Sequence, residues 1–151
     1  MGAINDLFAL AKTARARAHA PYSRFPVGAA LRTESGSVFF GCNVENAAYP
    51  LGVCAETSAI SAMIGAGESK IAEILVLGPG PERIAPCGAC RQRIAEFAGK
   101  KCIVHLADEA GGVLSLPLGE LLPHAFGPAS LSHDLKKREP AFGQDHAKPK
   151  S

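Results

Sequence analysis

Two short runs hold residues that can do chemistry together: Cys54-Ala55-Glu56, and downstream of it Pro86-Cys87-Gly88-Ala89-Cys90. Three thiolates are a ligand set for Zn²⁺, and three protein ligands leave the fourth tetrahedral position open to water. Water bound there has its pKa lowered from about 15.7 to near 7, which makes hydroxide available at neutral pH. A structural zinc site would be closed by a fourth protein ligand. Here the residue two past the first cysteine is an acid, Glu56, placed to move protons beside the metal. That asymmetry points to metal-assisted hydrolysis.

Each piece has a plainer explanation when taken alone. A glutamate in the first turn of a helix is an ordinary occupant stabilised by the helix dipole. A Cys-x-x-Cys by itself also fits a redox dithiol, but a dithiol leaves Cys54-Ala55-Glu56 unexplained. A closed zinc site needs a fourth ligand, and of the five histidines only His105 falls in a predicted core element, where it reads as a strand residue. The cysteine count is odd, which in a reducing compartment argues for metal binding over a disulfide framework. Cys42 and Cys102 lie in apolar strand-like segments and read as small buried hydrophobes.

Cys-x-Glu followed by Pro-Cys-x-x-Cys is the zinc-deaminase signature. From Ala20 to Phe126 the chain resembles the small cytidine deaminases of pyrimidine nucleoside salvage. The resemblance is carried by Pro21-Tyr22-Ser23-Arg24-Phe25-Pro26-Val27-Gly28-Ala29-Ala30, by Gly41-Cys42-Asn43-Val44-Glu45-Asn46-Ala47-Ala48-Tyr49-Pro50, and by the run from Pro86 to Gln92. It implies one Zn²⁺ per chain on Cys54, Cys87 and Cys90, with Glu56 carrying protons to ring N3 and to the leaving ammonia during attack at C4. It also implies substrate contacts. Phe25 corresponds to the aromatic stacked on the pyrimidine, and Asn43 and Glu45 to the pair on the ribose 3′-hydroxyl. Ala47 and Tyr49 correspond to positions lining a neighbouring subunit's site near the 5′-hydroxyl, and Phe126 to an aromatic reaching into another subunit's site. The implied assembly is a homotetramer with shared active sites, and the implied location is cytoplasmic. One position departs from the pattern: many relatives carry Arg directly after the catalytic Glu, and this chain has Thr57. The competing substrate class is another aminopyrimidine nucleoside, such as a nucleoside antibiotic.

The elements that must position these groups follow from periodicity. From Ile4 to about His19, the positions Ile4, Leu7, Phe8, Ala11, Ala14 and Ala18 recur at helical steps, with Lys12, Arg15 and Arg17 expected to face water and Pro21 closing the helix. Val27 to Thr33 and Ser37 to Asn43 form two β-prone runs joined by Glu34-Ser35-Gly36, the pattern of a hairpin. An irregular segment leads to a helix from Cys54 or Ala55 to about Gly65 with almost no polar face, expected to be buried. Ile71 to Leu77 reads as a strand covered on both faces. A second helix runs from Pro86-Cys87-Gly88 to about Ala98, followed by strands at Lys101 to Leu106 and Gly112 to Leu116, and a helical turn at Leu118 to Leu122. The expected fold is a three-layer α/β/α sandwich on a mixed five-stranded sheet, which the resemblance also implies. Residues 1–127 form the expected catalytic domain and 128–151 an expected disordered tail.

Composition bounds the partners. At 151 residues and 47% hydrophobic, one well-buried domain is the expectation. A net charge of +2 with scattered Lys and Arg gives no basic stripe, which argues against a polynucleotide substrate and for a small molecule. No apolar run is long enough to span a bilayer, and the N-terminus lacks the pattern of a secretory signal, so an intracellular soluble protein is expected.

Overall fold

The computed structural model describes residues 3–131. Its elements in chain order are α1 (Ala3–Ala16), β1 (Gly28–Thr33), β2 (Val38–Cys42), a 3₁₀ turn (Tyr49–Leu51), α2 (Ala55–Gly65), β3 (Ile71–Leu77), α3 (Gly88–Phe97), β4 (Ile103–Ala107), β5 (Val113–Pro117), α4 (Leu118–Leu121) and α5 (Pro128–Leu131). The expected tail lies outside the described residues except for α5, a single helical turn.

The five strands form one sheet in the order β2-β1-β3-β4-β5. β1 pairs antiparallel with both β2 and β3, β3 pairs parallel with β4, and β4 pairs antiparallel with β5. The sheet is therefore mixed, as the sequence predicts. The β1–β2 hairpin closes through Gly36 N–H to Thr33 O at 3.0 Å and Thr33 N–H to Ser37 O at 2.9 Å, with Gly36 at φ +92°. Only glycine takes that left-handed conformation without steric cost.

Strand alternation divides the core into two layers. On one face Leu7 and Ala11 of α1 pack on Ala30, Leu75 and Leu77. On the other, Ala59, Ile60 and Met63 of α2 and Ile94 of α3 pack on Ala29, Leu31, Ile74 and Val104. Neighbouring residues of β1 thus serve opposite layers, the outcome of a period of two in a strand covered twice. α2 lies so close to β2 that a Cβ on Gly41 would come within 2.5 Å of Ala59 N.

Two features differ from expectation. α1 stops at Ala16 instead of running to His19, because the N–H of His19 donates to Asn43 O at 3.1 Å and its carbonyl accepts from Glu45 N–H at 2.8 Å. Arg15 does not face water: it pairs with Glu109 at 2.9 Å and donates to the carbonyl of Gly78. α2 packs against the sheet as expected, through Ala55, Ala59, Ile60 and Met63, with Ala62 and Ile64 exposed on its outer side.

On the α1 face of the sheet a polar cluster gathers around the buried His105, with Arg32 and Glu73 half-buried and Ser115 exposed. Glu73 accepts from Arg32 Nε at 2.8 Å and lies 2.9 Å from His105 Nε2, while His105 Nδ1 shares a 2.7 Å hydrogen bond with Ser115. Both ring nitrogens of His105 are engaged there, so it is a strand residue as expected and offers no nitrogen to a metal.

Candidate active site

Cys54 and Cys87 are the N-cap residues of α2 and α3, each in extended conformation. Their carbonyls accept the first helical hydrogen bonds, from Ser58 N–H at 3.1 Å and Arg91 N–H at 2.9 Å. Cys90 follows in the first turn of α3 and is fully buried. Two helix N-termini therefore face the same small volume with their unpaired N–H groups and partial positive charge, which favours anionic sulfur.

The sulfur atoms of Cys54, Cys87 and Cys90 all lie within 4.8 Å of one another. Among the described residues they form the one group of three or more candidate metal ligands. Glu56, in the first turn of α2, is only 4% exposed. Its carboxyl is held above the usual carboxylate range, first by burial.

Charge on these groups is mutually opposed. Burial raises Cys54, and the charges of Cys87 and Glu56 add to the rise. Burial pushes Cys90 far up, again with help from Glu56 and Cys54. At Cys87 burial also works against ionisation, but hydrogen bonds from the Cys90 backbone and the neighbouring thiols bring it below the ordinary thiol value. Four acidic groups gathered this closely ionise together only beside a cation. Soft sulfur donors with tetrahedral reach and an adjacent acid fit Zn²⁺.

Beside Cys54 opens a cleft of ≈ 460 Å³, lined by Tyr22, Asn43, Glu45, Tyr49, Val53 and Cys54 among others. Asn43, Glu45 and Tyr49, expected from sequence as substrate contacts, line it. Phe25 and Ala47 do not; the backbone of Phe25 is bonded to Asn43, which does. The Tyr49 ring, 76% exposed, meets Tyr22 edge-on with centroids 5.9 Å apart. Phe126 is 60% exposed, and Gln92 holds its carbonyl at 2.9 Å against α3. Glu45 is held below its ordinary carboxylate value, chiefly by hydrogen bonding from Ser23.

The residue in the position of the family's Arg is spent differently. The Thr57 hydroxyl is buried and has no hydrogen-bond partner. The Arg91 guanidinium donates to Pro86 O at 2.8 Å and Leu121 O at 2.9 Å, tying the start of α3 to α4. Asn46 accepts from Ala48 N–H at 2.8 Å, a local turn. Cys42 is half-buried and Cys102 is buried, and neither belongs to the thiol group.

An α/β/α sandwich that brings three thiols and one buried carboxyl together at two helix N-termini defines a metal-dependent hydrolytic enzyme. Residues 1–106 match the family model described as the cytidine and deoxycytidylate deaminase zinc-binding region. The chain is 40% identical over 130 residues to the cytidine deaminase of Sporosarcina psychrophila, covering 86% of this chain and 96% of that one. The crystal structure of cytidine deaminase from Burkholderia pseudomallei is 48% identical and aligns with a TM-score of 0.76, covering 83% of this chain and all of that one. That from Mycobacterium tuberculosis is 36% identical with a TM-score of 0.74, over 84% and 99%. The chain belongs to the cytidine and deoxycytidylate deaminase zinc-binding family, and zinc is its metal.

Proposed function

We propose that this chain hydrolyses cytidine and 2′-deoxycytidine to uridine and 2′-deoxyuridine, releasing ammonia, as a cytoplasmic step of pyrimidine nucleoside salvage. The observation that carries it is the convergence of Cys54, Cys87 and Cys90 beside the buried Glu56, in a chain similar over most of its length to cytidine deaminases. Zinc on the three thiolates would supply the acidity that makes water a nucleophile at neutral pH. Glu56 takes a proton from the attacking water and delivers it to ring N3, then takes the remaining proton from the new C4 hydroxyl as it becomes a carbonyl and gives it to the amine that leaves. General acid–base transfer of this kind contributes about 10²- to 10⁴-fold.

On this reading Phe25 stacks on the base, and Asn43 and Glu45 hold the ribose 3′-hydroxyl. Ala47 and Tyr49 line a neighbouring subunit's site near the 5′-hydroxyl, and Phe126 reaches into another. The active unit is a homotetramer, with residues 1–127 of each chain as its catalytic domain. Support comes from apolar surface around the cleft: Tyr49, Leu51, Val53 and Phe126 are all exposed in the single chain, as is Ile64 on the outer side of α2. Exposed apolar side chains of this kind are what a subunit interface would cover. No helix among the described residues is long and apolar enough to cross a membrane.

The test is an ultraviolet assay of cytidine loss on purified protein with elemental zinc measured in parallel. Glu56→Gln is expected to keep the zinc and lose nearly all turnover, and Cys87→Ala to lose both. Substantial turnover by Glu56→Gln, or wild-type protein inert toward cytidine at full zinc loading, overturns the reading.

A further inference from the structure

Arg24 adopts φ +55°, the left-handed region. A non-glycine residue there is strained and persists only where its surroundings over-determine it. Arg24 lies directly before Phe25, and the chain on both sides is held by two side chains from one short segment. On the N-terminal side, Oε1 of Glu45 accepts the N–H groups of Tyr22 at 3.0 Å and Ser23 at 3.1 Å. On the C-terminal side, Nδ2 of Asn43 donates to Phe25 O at 2.9 Å, and Oδ1 accepts from Val27 N–H at 2.8 Å. The Phe25 N–H is itself taken by Ser23 Oγ at 3.0 Å.

Pro26, between the two residues that Asn43 grips, has no N–H to give to a ladder. The main chain of Asn43 continues the β1–β2 pairing one step, through its N–H to Val27 O at 3.2 Å. Its main-chain carbonyl is taken by His19 N–H at 3.1 Å, and its side-chain Oδ1 accepts the Val27 N–H in its place. A primary amide has two hydrogens on nitrogen and two lone pairs on oxygen. One of each is used by the backbone, and one of each remains for a ligand.

We propose that Asn43 is a positioning residue: together with Glu45 it clamps the chain on both sides of the strained Arg24 and fixes the backbone from which the Phe25 ring projects. The proposal rests on the reading of Phe25 as the aromatic against the pyrimidine. It goes beyond a sugar contact, because removing the clamp disturbs the ring wall whatever sugar the base carries.

The chain contains no tryptophan, so Phe25→Trp creates a single fluorescent reporter at the clamped position. In the zinc-loaded protein, adding Asn43→Ala to that background is expected to lower the indole anisotropy and raise its quenching by acrylamide. Asn43→Asp, which keeps the acceptor for Val27 and loses the donor to Phe25, is expected to fall between and serves if the alanine variant does not fold. In the Phe25 background, kcat/KM of Asn43→Ala is expected to fall about tenfold or more on both cytidine and 2′,3′-dideoxycytidine. An unchanged reporter overturns the proposal, as does a penalty seen with cytidine and absent with the dideoxy substrate. If wild type turns over neither nucleoside, the functional reading has failed, and the fluorescence still decides whether Asn43 holds residue 25.

Discussion

Gly41→Ala is a perturbation whose effect on the site can be worked from distances. The new Cβ would lie 2.5 Å from Ala59 N, 2.6 Å from Ser58 Cβ and 2.8 Å from Ser58 C. All three atoms are fixed to the frame of α2, so no side-chain rotation relieves the clash and the helix itself must move. Ordinary contact begins near 3.4 Å, which leaves a shortfall on the order of 1 Å to be made up by displacing α2 from β2. Overpacking of this kind costs about 1–3 kcal/mol. In a chain of this size each kcal/mol lowers the melting temperature by roughly 2–4 °C. The functional effect is larger in proportion, because α2 carries both Cys54 and Glu56 at its start. A misplacement of about 1 Å in a catalytic group costs on the order of 10²-fold in rate. Gly36→Ala separates the two effects. At φ +92° with nothing within 4 Å of the added carbon, it imposes backbone strain of about 1–2 kcal/mol in a turn that bonds Glu68 beyond the C-terminal end of α2, not at the start that carries Cys54 and Glu56. Measured by kcat/KM on cytidine, zinc per chain and thermal melting, Gly41→Ala is expected to lose stability and most activity, and Gly36→Ala to lose stability alone. Equal activity losses in the two variants would refute the reasoning, since strain at the hairpin would then do what displacement of α2 is held to do. So would a Gly41→Ala protein as active as wild type.

Three further outcomes are expected. Thr57→Val removes a buried hydroxyl without a partner and should raise stability by about 1 kcal/mol, or roughly 2–4 °C in melting temperature; an unchanged or lower value would show that the hydroxyl is satisfied. Glu73 is partly desolvated, which by itself raises its carboxyl, but the hydrogen bonds from His105 and Arg32 win and hold it below the usual range. A depressed carboxyl contributes stability above its unfolded pKa of about 4.3 and loses it as pH falls through the folded value. Glu73→Gln should therefore be less stable than wild type at pH 7, by about 1 kcal/mol given the remaining solvent access, with the gap closing under acid in denaturant titrations; a gap constant down to pH 3 contradicts this. Burial pushes the Cys102 thiol up to about 12, so at pH 7 iodoacetamide should label it in the native protein far more slowly than after unfolding; comparable rates by mass spectrometry would count against it.

What could be read from the sequence was whatever depends on near neighbours along the chain. Ile71–Leu77 is apolar at every position but Glu73, and a run of that kind fits a strand covered on both faces. Cys54 and Cys87 each stand directly before a helical pattern, so their placement at two N-termini follows from local rules. Two α1 details needed the fold. Its periodicity runs on to Ala18, but its end is set by Asn43 and Glu45, which take both backbone groups of His19. Arg15 looks like a solvated charge until Glu109 and the Gly78 carbonyl are brought to it.

The same limit explains why Asn43 and Glu45 read as ligand contacts and nothing more. A polar residue in an irregular loop beside a predicted metal site has two kinds of partner open to it, a bound molecule or distant backbone. Local sequence distinguishes these only when the backbone partner is a few residues away, as with Asn46 and Ala48. The partners of Asn43 lie across the hairpin at Phe25 and Val27, and those of Glu45 at Tyr22 and Ser23. They come into range only after β1 and β2 have paired in the register Gly28 to Cys42. A slip of one residue would turn the Asn43 side chain to the opposite face of the sheet. The shape of the cleft is therefore set by the register of that hairpin, and so is the position of Gly41, one residue before the hairpin's last paired residue, under the helix that presents Cys54 and Glu56.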